Sequence, residues 1–187
     1  MTELHPRLAA DTGALGETEL CWLRWMRDAR FPWLIVVPKR DGLREWHHLP
    51  AADQQRLLST VNHLAGELER VTGADKINLG ALGNLVPQLH VHIIARFRDD
   101  PCWPGPVWGQ GQPVPVDGTP DWLGRLELIA VDVQCPHCWE HFEALVDPSQ
   151  GDQEYVEDCH ICCRPLVLTV DLTDPEAPSV SVAPEND

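Results

Sequence analysis

From Gln88 to Phe97 the chain alternates. Leu89, Val91, Ile93, Ala95 and Phe97 fall on one set of positions, and Gln88, His90, His92, Ile94 and Arg96 fall on the other. Successive side chains of a strand point to opposite faces, so this pattern predicts a β-strand with one wholly apolar face against a core. The same reasoning predicts strands over 20–28 (LCWLRWMRD), 32–39 (PWLIVVPK, more fully buried) and 76–83 (KINLGALG). After Pro50 the period changes: Leu57, Leu58, Val61, Leu64, Leu68 and Val71 recur at helical spacing, and Gly73 stands where a helix would stop. Strand, strand, helix, strand, strand is the order of an α+β domain on an antiparallel sheet.

Residues 101–120 hold six prolines and four glycines, the composition of a linker, although Trp103 and Trp108 predict that part of it packs on a neighbour. Beyond it, WLGRLELIAVDVQCPHC opens a smaller β-rich unit, and the last stretch, TDPEAPSVSVAPEND, is acidic, proline-bearing and expected to be disordered. The expected divisions are a first domain over 1–110, a linker over 111–122, a cysteine-rich domain over 123–172 and a tail over 173–187.

Charge sharpens that division. Residues 1–110 carry 13 Asp and Glu against 12 Lys and Arg, whereas 111–187 carry 16 against only Arg125 and Arg164. An acidic second half is repelled by phosphate backbones, which argues against nucleic acid as its partner and leaves a protein partner open. No stretch reaches the roughly 18 apolar residues of a membrane helix. The opening MTELHPRLAADTG has no basic region followed by an apolar run, so no secretory signal is read and the cytoplasm is the expected location.

Five of the seven cysteines lie between positions 135 and 163. With no export signal, such a cluster favours metal over disulfides. CPHC at 135–138 and CHICC at 159–163 give Cys-x2-Cys-x20-Cys-x2-Cys, two knuckles that can close a tetrahedron of thiolates around a structural zinc ion. Cys135, Cys138, Cys159 and Cys162 are the expected ligands, with Cys163 as the rival of Cys162 and with a redox dithiol or unbound thiols as the other readings. His137 and His160 lie inside the knuckles and are expected to flank the ion. Cys21 and Cys102 stand alone and read as idle thiols.

His90 and His92 would share a strand face at roughly 7 Å, close enough to address one phosphate or one metal. An exposed face carrying Gln, His, His and Arg is the plainer alternative. The metal reading is weakened because no carboxylate or third histidine follows at short spacing.

The surrounding residues add a resemblance. INLGALGNLVPQLHVHIIAR is similar to the signature of the histidine triad (HIT) superfamily, His-φ-His-φ-His-φ-φ on a strand with an Asn about a dozen residues upstream. Gln88-Leu-His90-Val-His92-Ile-Ile fits, with Gln in the first histidine's place. WLIVVPKR followed by a helix resembles the family's strand and IPK turn, and CWPG resembles the Trp-Pro-Pro-Gly element of the hint branch. The likeness covers roughly residues 15–108. The second segment resembles small bacterial cysteine-rich proteins with a CPxCG motif, with Trp139 in place of the glycine.

The resemblance implies a HIT-like antiparallel sheet with helices, a homodimer, and a nucleotide or nucleotide conjugate as substrate. It implies attack on the α-phosphorus by His90 through a nucleotidyl-histidine, with His92 donating to a non-bridging oxygen and no cofactor needed for that step. Asn78 and Asn84 would orient the phosphate, and Asp28 would hold the ribose. Arg96, on the histidine face, and Trp103, in the CWPG element, complete the candidates for substrate contact. Two departures count against turnover: Gln88 cannot titrate, and Asp41 stands after VPKR where many members carry a histidine. A hydrolase or nucleotidyl transferase is the first reading. The second is a nucleotide-binding module with little turnover, its acidic ribbon serving protein contacts.

Overall fold

The protein is described from a computed structural model, which covers residues 2–126, 129–146, 152–159, 161–171, 173 and 179–185. The chain forms two compact units, Met1–Leu126 and Glu127–Asp187. Among the described residues no helix is long and apolar enough to cross a membrane.

The first unit is a five-stranded antiparallel sheet. A short helix α1 (Pro6–Asp11) leads into β1 (Thr12–Glu17), then β2 (Cys21–Met26) and β3 (Trp33–Pro38) follow. The long helix α2 (Ala51–Thr72) precedes β4 (Lys76–Gly80) and β5 (Val91–Arg96), and the spatial order is β1-β2-β3-β5-β4. The four expected strands and the helix are present, each strand shorter than its apolar run. Helix α2 ends as expected, with Gly73 at φ 65° and its N–H donating to the Glu69 carbonyl. Helix α1 and β1 lie in a stretch whose weak periodicity predicts neither.

Both sheet faces are covered. Leu57, Val61, Leu64, Leu68 and Val71 are the buried stripe of α2, which packs on β5, β3 and β4. The strand residues that alternate with Leu34, Val36, Val91 and Ile93 belong to a second cluster. There Trp33, Ile35, Val37 and Ile94 meet Leu8 of α1, Phe31, Val86 and Val107. This second face carries the histidines. His90, His92 and Arg96 are 7%, 6% and 1% exposed, so the expected outward face is an interior one.

What covers it is the proline- and glycine-rich stretch expected to be a linker. Val107 is buried, Ala29 N–H donates to the Val114 carbonyl (2.8 Å), and Val114 N–H donates to Asp28 Oδ1 (3.2 Å). The Arg30 guanidinium donates to the Gln110 carbonyl (2.8 Å). Residues 101–126 therefore belong to the first unit, and the boundaries expected at 110 and 122 move to 126. Prolines lack the N–H that regular pairing uses and glycines weaken a strand, but both leave a chain free to lie over a surface, and composition alone does not separate the two outcomes.

In the second unit β6 (Ile129–Gln134) pairs with β7 (His141–Val146), while β8 (Gln153–Asp158), β9 (Pro165–Asp171) and β10 (Ser179–Pro184) form a three-stranded sheet. Strand β10 lies in the tail expected to be disordered. Val180 and Val182 pair opposite Val170 and Leu168 and pack on a core of Val133, Phe142, Leu166, Leu168 and the cysteines. The alternation in SVSVA is that of a half-buried strand, although acidic and proline residues flank it.

Candidate functional site

Register sets the site. Residues paired across strands share a face, so Ile35 opposite His92, Trp33 opposite Ile94, and Asn78 and Gly80 on β4 all stand on the histidine side. Trp33 Nε1–H donates to His92 Nδ1 (3.0 Å). That nitrogen must therefore be unprotonated, which places the proton of neutral His92 on Nε2. His90 is held the other way round. Its Nδ1 lies 2.6 Å from the Gln88 carbonyl oxygen, which only accepts, so Nδ1 carries the proton and Nε2 keeps its lone pair. Two imidazoles with ring centroids 4.8 Å apart are thus locked in opposite tautomers, one able to attack and one able to donate.

Burial keeps both rings neutral. The His90 pKa is lowered chiefly by desolvation, against the pull of the Gln88 carbonyl, with the charge of His5 lowering it further. His92 is pushed down to about 3 by desolvation and by His90.

The histidines line a cavity of about 320 Å³ with Trp33, Trp108, Asn84, Leu82, Leu85, Arg7 and Leu8 among its walls. A cleft of about 720 Å³, with Asp28, Arg27, Arg30 and Gln112 on its walls, shares Arg7, Asp11, Met26, Trp33, Trp108 and Gly109 with that cavity. Gly80 is what lets Trp108 in, because a Cβ there would lie 2.8 Å from the indole. Among the described residues, the Trp108 indole nitrogen is a buried donor with no partner.

The expected site residues divide. His90, His92 and Asn84 line the cavity. Asp28 lines the larger cleft, but its carboxylate accepts from Arg30 (Nη2 to Oδ2, 2.7 Å) and from Val114 N–H. Asn78 stands on the correct face with Oδ1 accepting from Arg96 (2.7 Å). Arg96 departs from its expected role. It donates to Asp100 (2.7 and 3.0 Å), Asn78 and the Gly105 carbonyl (2.9 Å), so four of its five N–H groups fix the chain after β5. Trp103 lies against that guanidinium, 5.9 Å from Cζ to the ring centroid, and lines neither cavity; the tryptophans that do are Trp33 and Trp108. Gln88 turns its amide to the N-terminal segment, accepting from His5 N–H (2.8 Å) and donating to the Glu3 carbonyl (3.0 Å). His47 and His48 are exposed. Cys21 is fully buried and its thiol is pushed up to about 12 by that burial, which makes it inert.

Trp33, Trp108, Arg7 and Leu8 are the residues that the sequence did not flag for the site. Trp33 could have been found only from the register of β3 on β5, and Arg7 only from the placement of a helix that the pattern does not show.

In the second unit Cys135, Cys138, Cys159 and Cys162 place their sulfurs within 4.8 Å of one another, with Cys135–Cys162 and Cys138–Cys159 both at 3.8 Å. Thiolates bound at about 2.3 Å to one tetrahedral ion stand about 3.8 Å apart, so the four fit a closed structural metal site. Cys163 is exposed and outside the group, so the geometry favours Cys162 over Cys163. His137 is half-buried and not in the group, and His160 lies outside the described residues.

The first unit is an α+β domain that presents two buried imidazoles of opposite tautomer to a cleft. A family model described as HIT domain matches residues 7–99, and one described as bacterial zinc ribbon domain matches 133–183. Solved histidine triad proteins are similar. One from Sinorhizobium meliloti 1021 is 45% identical, with a TM-score of 0.64 over 67% of this chain and 95% of that one. One from Marinobacter aquaeolei VT8 is 52% identical, with 0.61 over 62% and 84%. A third, from Bradyrhizobium japonicum, is 44% identical, with 0.61 over 62% and 87%. Comparison with curated proteins returns no match. The chain belongs to the histidine triad (HIT) family, a superfamily of nucleotide-binding proteins and hydrolases, and carries a zinc-ribbon domain behind the HIT domain.

The neutral histidines carry a pH signature. With folded pKa values below the unfolded value of about 6.5, the unfolded chain binds more protons as pH falls, so this stability is complete above about 6.5 and is lost toward about 3. Urea titrations of the first unit should show a decline of order 2 kcal/mol between pH 7.5 and 5, and His92→Gln should remove most of that slope.

Proposed function

We propose that the first unit is a nucleotide hydrolase or nucleotidyl transferase that works through a nucleotidyl group on His90. The carrying observation is the pair of tautomers. His90 Nε2 holds a lone pair toward the cavity chemistry while its Nδ1–H is braced on the Gln88 carbonyl (2.6 Å). In this reading Nε2 attacks the α-phosphorus, the leaving group departs with the bonding pair, and a second acceptor, water or another nucleophile, regenerates the imidazole. His92, forced to carry its proton on Nε2 by Trp33, donates to a non-bridging oxygen as charge develops there. The cleft beside the cavity, about 720 Å³, has room for a nucleoside. Asn84 at the cavity wall supplies an amide for the phosphate, while Asn78, on the same sheet face but lining neither cavity, is held by Arg96.

A nucleotide-binding module with little turnover is the alternative, favoured by one observation: Gln88 cannot titrate and its amide is already engaged. Wild type and His90→Ala, assayed on an adenosine phosphoramidate and a dinucleoside polyphosphate, should differ by about 10³-fold or more in kcat/KM. Equal turnover removes His90 as nucleophile. A nucleoside monophosphate that raises Tm with no turnover by wild type selects the binding module.

We further propose that zinc is the ion of the cysteine site and that it is structural, since four thiolates leave no open position. So small a core needs the metal to fold. A chelator should expose the second unit to protease while the first unit keeps its nucleotide chemistry; an unchanged digestion pattern would count against a structural ion.

A homodimer is the proposed assembly. Strand β4 is an edge of the sheet, with Leu79 half exposed on it and Leu58 half exposed on α2, an unpaired and partly apolar surface that a second copy could cover. Light scattering should give the mass of two chains, and Leu79→Lys should lower it to one.

A further inference from the structure

A phosphate brings negative charge to the cavity, and attack on it develops more on its oxygens. His90 and His92 bring no charge to meet it, because burial holds both rings neutral, and Asn84 is an amide. Among the described residues that line this cavity, Arg7 is the one cation and Asp11 the one anion. Both also line the larger cleft, so the two charges stand where the two spaces meet. Arg27 and Arg30 line the cleft alone, and Arg30 is committed to Asp28 and the Gln110 carbonyl.

The backbone that carries Arg7 is pinned on both sides. Before it, the Gln88 amide accepts from His5 N–H (2.8 Å) and donates to the Glu3 carbonyl (3.0 Å). After it, Leu8 is buried in the core of the histidine face. Arg7 N–H itself donates to His5 Nδ1 (3.2 Å) at the start of α1. The side chain is left more than half exposed. Its Nε–H donates to Asp11 Oδ2 at 3.4 Å, one turn on, and no other side-chain hydrogen bond holds it among the described residues. A full charge-assisted bond is nearer about 2.8 Å, so Asp11 orients the guanidinium without satisfying it. Both Nη groups remain for an oxyanion, and the planar fork of an arginine matches two phosphate oxygens at once.

We propose that Arg7 is a substrate-binding residue of this site, its guanidinium pairing with the non-bridging oxygens of the phosphate that lies against His90 and His92. The proposal rests on the nucleotide reading of the cavity and supplies the positive charge that two neutral imidazoles lack. No proton moves and no bond to Arg7 is made; the fork meets charge already on the phosphate and charge that grows there during attack.

Calorimetry with adenosine monophosphate and with adenosine isolates the contribution of the phosphate. Arg7→Gln should bind the monophosphate about 10- to 100-fold more weakly than wild type, and adenosine equally well. Arg7→Lys keeps the charge without the fork and should recover only part of the loss. Tm should be unchanged in both, because an exposed i,i+4 ion pair contributes little to stability. Arg98→Gln removes an exposed charge from a residue that lines neither cavity, and should leave both affinities at the wild-type values. The proposal is overturned by equal monophosphate affinity in Arg7→Gln and wild type, by an equal loss with adenosine, or by an equal loss in Arg98→Gln. No binding of the monophosphate by wild type overturns it as well. A wild type that binds the monophosphate through Arg7 but turns nothing over refutes the nucleotidyl-transfer reading and leaves the role of Arg7 standing.

Discussion

A guanidinium that has left water must find every partner within the chain, and Arg96 is 1% exposed. It meets Asp100 through two donors and reaches Asn78 and the Gly105 carbonyl with two more. Asp100 is held in turn by the N–H groups of Phe97 and Cys102; burial opposes its ionisation, but these donors and Arg96 keep its pKa below the usual carboxylate range. Removing one partner of such a pair strands the other charge, at a cost of about 3–5 kcal/mol. The pair therefore fixes the chain as it leaves β5 and turns it back over the sheet. Trp108, Val107 and the Asp28–Val114 contact follow from that turn, and so do the walls of the cavity.

Cover on that face is what gives the histidines chemistry. On an open strand face two imidazoles would titrate near their ordinary value and exchange tautomers. Here desolvation keeps them neutral, and one donor on His92 and one acceptor on His90 select opposite tautomers. In the proposed reaction the division of labour between nucleophile and donor would be made by Trp33 and by a backbone carbonyl, neither of which reacts.

The second unit is organised by a different constraint. Its core is small, and two of its buried residues, Cys135 and Cys159, belong to the four-cysteine group that fits a structural metal site. The residues of that group are also residues of the core, so a metal held there would order the same contacts that pack β6 to β10. The first unit needs no such staple, because its sheet is covered on both sides.

Much was legible in the sequence. The strand periods, the helix stripe closed by Gly73, the cysteine spacing and the histidine motif depend on neighbours close in the chain, and those neighbours were read correctly. The roles of Arg96, Trp103, Gln88 and residues 101–122 were not legible, nor was β10. A residue's type records what it can bond, not what it will meet: Arg96 could equally have bound a phosphate, and Gln88 could equally have faced one. The sequence alone determined the family, the grouping of four cysteines and the placement of His90 and His92 together on one strand face. The tertiary structure decided which groups are buried, which tautomers they hold and which segment each polar side chain ties down, because burial and partner choice arise only when distant segments share one interior.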